Sequence, residues 1–488
     1  ELFERLREES HLPLWPLCIY TVSRLINEPI GMQGLHVMVA TASVFLFARF
    51  APFPRWQRIA FAFGYFPFYE YAIISRNYAL GLLFALLFCT AFCRRRRLFA
   101  ALALLGLAAS SHQGILLALP MQFLLVRDWR SAGRGSPRWT VLTSIGVVIG
   151  LAACLFALFP VKKVLGTHLH TDVSQVRAVR TSATIWNAYV PIPPIATEQI
   201  WDSNLLGTYN SWESTSPYPG LTMADPLEKQ ESWAFLFSVA IVAMGVLTVS
   251  PVRALAVTFL ACVVLLLLFS YAVYFGSMRH HGFLFLAFVM CAWMSRGTPS
   301  HDGAMGVRSP RFRRFLPALL LIQMFGGIAF FATDLVRPFS PSALVAQFTR
   351  EIQWGVRPII GSPDYLVSPV AAILHRTFRS LETGEPASVI DWSARRDADP
   401  TTVARRIAGM VRRSRYQKLL LLTGYSVEAL APVQRPLLGP TGIQLTPIHA
   451  FRPGVVPDER YMVYFVQPRG DPVPERMRKL AIGPTLEF

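Results

Sequence analysis

The stretch FYEYAIISRNYALGLLFALL, residues 68–87, decides how the chain is read. It sets Glu70 and Arg76 beside a run of aliphatic and aromatic residues with the character of a membrane helix. An ionised side chain at the centre of a bilayer costs at least about 2.5 kcal/mol. A membrane reading therefore has to place both charges at a boundary, not in hydrocarbon.

The composition around that stretch favours such a reading. Of 488 residues, 53% are hydrophobic and 16% charged, against about 25% charged in a soluble domain. Several apolar runs approach or exceed the roughly 20 residues that span a hydrocarbon core. Spans are expected near 32–51, 57–75, 78–94, 98–111, 112–127, 139–160, 233–250, 254–275, 282–296 and 315–334. The short fourth and fifth read either as two spans or as a helical hairpin bent at Ser110-Ser111-His112. The fold class expected is mainly α: a polytopic transmembrane helical bundle of about ten spans, followed by a small extracytoplasmic α/β domain.

The net charge of +18 points to nucleic acid or to a membrane surface, and its distribution chooses between them. Arginines collect between alternate hydrophobic runs, at Arg49/Arg55/Arg58, Arg94–Arg97, Arg127/Arg130/Arg134/Arg138, Arg253 and Arg296/Arg308/Arg311/Arg313/Arg314. With the spans alternating, every heavy cluster falls on one side, which the positive-inside rule makes cytoplasmic. No nucleic-acid partner is expected. Arginine far outnumbers lysine, which goes with a GC-rich bacterial genome; the location expected for such a polytopic chain is the bacterial inner membrane. The six cysteines all lie in apolar segments and imply no disulfide framework.

The opposite face receives an amphipathic juxtamembrane segment over 1–31, a loop over 161–232 and everything after residue 334. Residues 335–488 change character, with strand candidates at 358–361, 387–392, 418–423 and 461–466 and helix candidates at 342–353, 369–379 and 401–413. Strands alternating with helices indicate a small α/β domain. The turn Gly361-Ser362-Pro363-Asp364 reads as a strand-to-helix connection. In the large loop, Trp186, Tyr189 and Trp201 suit either sugar stacking or the membrane interface.

Four polar features share this outer face: Glu8-Glu9-Ser10-His11, Glu70 with Arg76-Asn77-Tyr78, Ser110-Ser111-His112-Gln113, and Ser277-Met278-Arg279-His280-His281. Guanidinium groups at headgroup depth suit a phosphate, which they bind in a bidentate way, with apolar walls below for a lipid tail. Arg279 and His280 join Arg76 and Tyr78 as substrate-binding candidates by side and depth. Glu9 with His168 or His170 offers a divalent-metal option; no cofactor is otherwise required.

The order His11-Leu12-Pro13-Leu14, then Ser75-Arg76-Asn77-Tyr78-Ala79-Leu80, then Ser111-His112 resembles the polytopic GT-C glycosyltransferases. The likeness is to bacterial relatives of protein O-mannosyltransferases and lipid A aminoarabinose transferases, over roughly residues 1–300. It implies a transferase that moves a sugar from a polyprenyl-phosphate donor, with inversion, to a cell-envelope acceptor outside the cytoplasm. It also implies that Arg76 faces the donor phosphate, and that Glu9 and His11 border the active site. His112 matches the family's histidine after the arginine-rich loop. The family's Asp-Glu base is expected upstream of Glu1, with Glu70 or Glu9 as the substitute acid. Leu12 replaces a frequent proline, and Glu70 lies six residues before Arg76 where relatives often place an acid two before it. Two alternatives from other classes stay open: a transporter or flippase for an amphipathic anion, and a non-catalytic membrane scaffold.

Overall fold

The computed structural model describes residues 14–26, 30–131, 148, 152, 173–193, 204–205, 227–297, 314–352, 358–387, 400–413, 418–424, 443–452, 454–456, 459–482 and 486–487. Two compact units divide between Ala332 and Thr333.

The first unit is helical. In chain order it contains α1 (Leu14–Ser23), α2 (Ile30–Phe50), α3 (Arg55–Ala62), a π-helix (Tyr65–Ile73), α4 (Tyr78–Cys93), α5 (Arg97–Ser110), α6 (His112–Ser131), α7 (Gln175–Tyr189), α8 (Leu227–Val249), α9 (Arg253–Ala272), α10 (Met278–Gly297) and α11 (Phe315–Val336). Three of these, α2, α9 and α11, are long and apolar enough to cross a membrane. The ten expected spans go beyond that number. Helices α4 and α5 are apolar but only 16 and 14 residues long, and the expected span 139–160 lies outside the described helices. The apolar stripes on the bundle's surface follow helical spacing: Val257, Leu260, Val264 and Leu268 on α9, and Leu321, Phe325 and Ile328 on α11, are all exposed. Large exposed apolar faces of this kind need an apolar neighbour.

Two sequence expectations are corrected here. The span read over 57–75 is not one helix. α3 stops at Ala62, Gly64 adopts an extended backbone, and the chain restarts as a π-helix. Its bonds reach one residue further than in an α-helix, so side chains five apart face each other. Tyr65 accordingly donates to Glu70 Oε2 at 3.0 Å, and Phe66 packs on Tyr71 at 5.6 Å between ring centroids. The large loop also contains more structure than the sequence reading assigned. Ser174 caps α7, accepting from the Arg177 amide at 3.3 Å. Thr181, Thr184, Ile185 and Ala188 then form a buried stripe.

The hairpin reading at residues 110–112 holds. α5 ends at Ser110 and α6 begins at His112, with the Ser111 hydroxyl accepting the Gly114 amide at 3.0 Å as an N-cap.

The second unit is α/β. It contains α12 (Ser342–Glu351), β1 (Ile359–Ser362), α13 (Asp364–Ile373), β2 (Phe378–Ser380), β3 (Pro386–Ala387), α14 (Pro400–Arg413), β4 (Leu419–Thr423), β5 (Ile443–Phe451), β6 (Tyr461–Pro468), α15 (Glu475–Leu480) and β7 (Leu486–Glu487). The strand order is β3-β2-β1-β4-β6-β5-β7, with β1 parallel to β2 and to β4. Strand β4 shows why the sheet has two covered faces. Leu419 and Leu421 pack with Ile407, Ala408 and Val411 of α14, while Leu420 and Leu422 pack with residues of α12 and α13. A continuous apolar run is what a strand buried on both sides requires. The helix expected at 369–379 is displaced: it spans Asp364–Ile373 with Pro369 inside it, and Phe378–Ser380 is a strand. The strand expected at 387–392 is described only at Pro386–Ala387, its remainder lying outside the described residues.

One buried polar cluster sits beside β1. Glu382 is 4% exposed and accepts from the Ser362 hydroxyl at 2.6 Å and the Ser380 hydroxyl at 3.1 Å. Arg406 donates to the carbonyls of Leu381 and Glu382. Burial pushes the Glu382 carboxyl above its ordinary value of 4.5, and the neighbouring Asp364 charge adds to the rise. The folded state thus holds a proton that the unfolded chain releases. Stability is unaffected where both states are protonated, falls as pH climbs above 4.5, and levels off beyond the folded-state value. Hydrogen exchange of the β1 and β2 amides in the full-length protein should therefore show protection declining with pH over this window. Glu382→Gln is expected to flatten that decline; an unchanged slope would mean that another group titrates.

Candidate functional site

Helices α4 and α10 each have one end in an arginine-rich region and the other in a cluster of aromatic, histidine and arginine side chains. At the first end, Arg94 lies over the Phe50 ring at 4.2 Å and Arg296 over Phe53 at 5.0 Å. Arg49 also lies over Phe50, while Arg58 donates to the carbonyls of Phe53 and Ala48. Arginines from four separate segments thus gather around residues 50–53, as their shared side in the sequence implied. At 1.5 Å per residue, the 16-residue separation of Tyr78 from Arg94 places the two ends about 24 Å apart, within reach of a hydrocarbon core of about 30 Å.

The second end is built from the π-helix, the starts of α4, α6 and α10, and the end of α9. The π-helix brings Tyr71 to face α10, where its hydroxyl donates to the Arg279 carbonyl at 2.7 Å. Gly282 makes this approach possible: a Cβ there would collide with Tyr71 Oη and the Phe66 ring. The chain then turns through Arg76, and Asn77 Nδ2 donates to the Ser110 carbonyl at 2.8 Å, joining this turn to the α5–α6 bend. At the bend, His112 stacks on Phe269 at 5.9 Å and 30°. Tyr78 opens α4 and its hydroxyl meets His280 Nε2 at 2.8 Å.

The first turn of α10 is held by its own sequence. Gly276 takes a positive φ of 81°, which glycine adopts without the penalty a side chain incurs, and the His280 ring lies against it. Ser277 follows as N-cap. Its carbonyl accepts the His280 amide at 2.8 Å, and its amide donates back to His280 Nδ1 at 2.9 Å. The second bond is one half of a capping box, with histidine in the place of the usual Glu or Gln. Arg279, His281, Arg76 and His112 all lie close enough for their charges to act on His280.

Arg76, Tyr78, His112, Arg279 and His280 are thus brought together from three stretches of chain. Glu70 is buried at 1% exposure within the π-helix, with Tyr65 as a partner, so it is not at an open mouth. Glu9, His11, His168 and His170 lie outside the described residues, and with them the metal option. Among the described residues no group of three or more His, Cys, Asp or Glu could hold a metal ion. Trp186 and Tyr189 are committed to packing. Trp186 Nε1 donates to Asn204 at 2.8 Å and Tyr189 donates to the Leu284 carbonyl at 3.1 Å. Tyr71 and Gly282 were not singled out from sequence. Tyr71 and its α10 partner are 208 positions apart, and no local spacing connects them.

Chemically, the cluster combines two guanidiniums, a phenol bonded to an imidazole, and a helix N-terminus. That set of donors fits an anion with oxygen acceptors. Compared with family models, curated proteins and solved structures, the chain matches none.

Because Gly282 admits Tyr71, Gly282→Ala should destabilise the first unit by about 1–3 kcal/mol through overpacking. Thermal unfolding in detergent measures this. An unchanged midpoint would mean that the π-helix moves aside at no cost.

Proposed function

We propose that this chain is an integral-membrane glycosyltransferase of the GT-C kind, moving a sugar from a polyprenyl-phosphate donor to a cell-envelope acceptor on the extracytoplasmic side. The observation that supports it most is that two distant segments, one carrying Arg76 and Tyr78 and the other Arg279 and His280, are joined by the Tyr78–His280 hydrogen bond at 2.8 Å, at the end of the bundle opposite the arginine-rich end. A lipid phosphate meets both requirements of that place. Its anionic headgroup pairs with guanidinium groups, and its tail is compatible with the exposed apolar stripes below.

In the proposed reaction an acceptor hydroxyl oxygen bonds to the sugar's anomeric carbon from the face opposite the phosphate. The bond from that carbon to the phosphate oxygen breaks, and its electron pair stays on the leaving prenyl phosphate. Arg76 and Arg279 stabilise the charge that develops there, the kind of electrostatic term that usually dominates such a barrier. The base that receives the hydroxyl proton is not assigned among the described residues. In this reading the arginine-rich end is cytoplasmic.

Arg76→Ala and Arg279→Ala should each lower transfer from a prenyl-phosphate sugar by about a hundredfold or more, with thermal midpoints close to that of the parent. Full turnover in both variants would remove the guanidiniums from the site. For orientation, single cysteines introduced at Arg95 and at Tyr274 in a cysteine-free background are to be treated with a membrane-impermeant thiol reagent on intact cells. Labelling at 274 and protection at 95 are expected, and the reverse pattern would invert the topology.

A further inference from the structure

The hydrogen bonds around His280 settle where its proton sits. The Ser277 amide donates to Nδ1 at 2.9 Å. A backbone N–H can only donate, so Nδ1 must present a lone pair. A proton on Nδ1 would point at the Ser277 amide hydrogen. The ring is therefore neutral, with its single proton on Nε2. That proton faces Tyr78 Oη at 2.8 Å, so His280 donates and the phenol oxygen accepts. The Ser277 hydroxyl at 3.0 Å from the same Nδ1 agrees with this assignment, since it too can donate there.

A phenol has one proton of its own. With its oxygen lone pair used by His280, Tyr78 keeps its O–H for another acceptor, and among the described residues His280 is the one hydrogen-bond partner of its hydroxyl. Tyr78 is half-buried beside the exposed Arg76, at the mouth of the cluster.

We infer that Tyr78 is the uncharged hydrogen-bond donor to the anionic oxygen held by Arg76 and Arg279, and that His280, locked as the Nε2–H tautomer by the Ser277 amide, is the positioning residue that aims it. The inference rests on the lipid-phosphate reading for the identity of the anion, but the proton order within Ser277–His280–Tyr78 does not. Accepting a bond from His280 polarises the phenol and strengthens its own donation. The arrangement selects against ligands whose facing group is itself a donor: a phosphate oxygen accepts from Tyr78, whereas an ammonium cannot.

The test has two arms on the full-length protein in nanodiscs. In the first, histidine nitrogen-15 NMR reports the His280 tautomer, the resonance being assigned by its loss in His280→Gln. The Nε2–H form is expected from pH 6 to pH 8; an Nδ1–H or doubly protonated ring overturns the proposal. In the second, binding of farnesyl phosphate is compared with inorganic phosphate and with farnesol. Tyr78→Phe is expected to weaken farnesyl phosphate binding about tenfold and leave farnesol unchanged. His280→Phe should weaken it about fivefold, and the double variant should be no worse than Tyr78→Phe alone, since His280 acts through Tyr78. His280→Gln, which keeps an N–H near the Nε2 position, should restore most of the loss. Additive losses, or a Tyr78→Phe variant that binds as the parent does, overturn the proposal. Binding of inorganic phosphate as tight as that of farnesyl phosphate would make the anion a free phosphate and not a lipid headgroup. If the parent binds neither phosphate while the Nε2–H tautomer is observed, the lipid-phosphate reading falls and the proton order stands. If Arg76→Ala and Arg279→Ala abolish binding while the ring proves Nδ1-protonated, the reverse holds.

Discussion

The hydrogen bond from Tyr71 to the Arg279 carbonyl pins the π-helix to the first turn of α10, and most of the site's geometry follows from it. With Tyr71 fixed, the chain leaving the π-helix delivers Arg76 and Tyr78 toward the same turn. Tyr71, Tyr78 and Phe283 then pack at centroid distances of 6.2 Å from one another. These rings have little freedom at the helix joints, so the polar tips they carry are positioned by packing rather than by flexible tethers. Tyr71, Asn77 and His280 are each tied to a backbone carbonyl or amide, which moves only if a helix moves.

The distribution of charge along the two central helices is the second organising feature. Both α4 and α10 are apolar through their middles, with cation–π contacts at one end and hydrogen-bonded aromatic and histidine side chains at the other. An arginine over an aromatic face gains from the ring's quadrupole while keeping part of its guanidinium in water. At the other end the arginines stand among histidines and phenols, with the buried Glu70 next to Tyr71. One end of the bundle is thus organised by arginines on aromatic faces and the other by hydrogen bonds among aromatic and histidine side chains.

Much of this was legible in the primary structure, because it depends on local pattern. The arginine clusters, the bend at Ser110-Ser111-His112, and strands β1, β4 and β6 all follow from runs of apolar residues and the polar residues that interrupt them. What escaped depends on longer range or on rarer geometry. The π-helix has the same composition as an α-helix, and Gly64 and Pro67 alone do not announce a change of pitch. Strand β5 contains Pro447, which argues against a strand; the structure accommodates it with an irregular register between Pro447 and His449. The helix expected from Pro369 begins at Asp364, where an acid suits the N-terminal dipole, and carries Pro369 inside it. Within the site, Arg76 and Arg279 were visible as charges next to apolar runs, whereas Tyr71 looked like one aromatic among many.

The winding of residues 65–73 makes the number of residues there matter more than their identity. Exchanges among phenylalanine and tyrosine leave the pitch alone at positions other than Tyr65 and Tyr71, whose hydroxyls are bonded. Loss of one codon would end the five-residue spacing that sets Tyr65 against Glu70 and Phe66 against Tyr71. Those pairings would be lost although every remaining side chain was intact. Length variation in this segment is therefore the kind of change its descendants are least able to absorb.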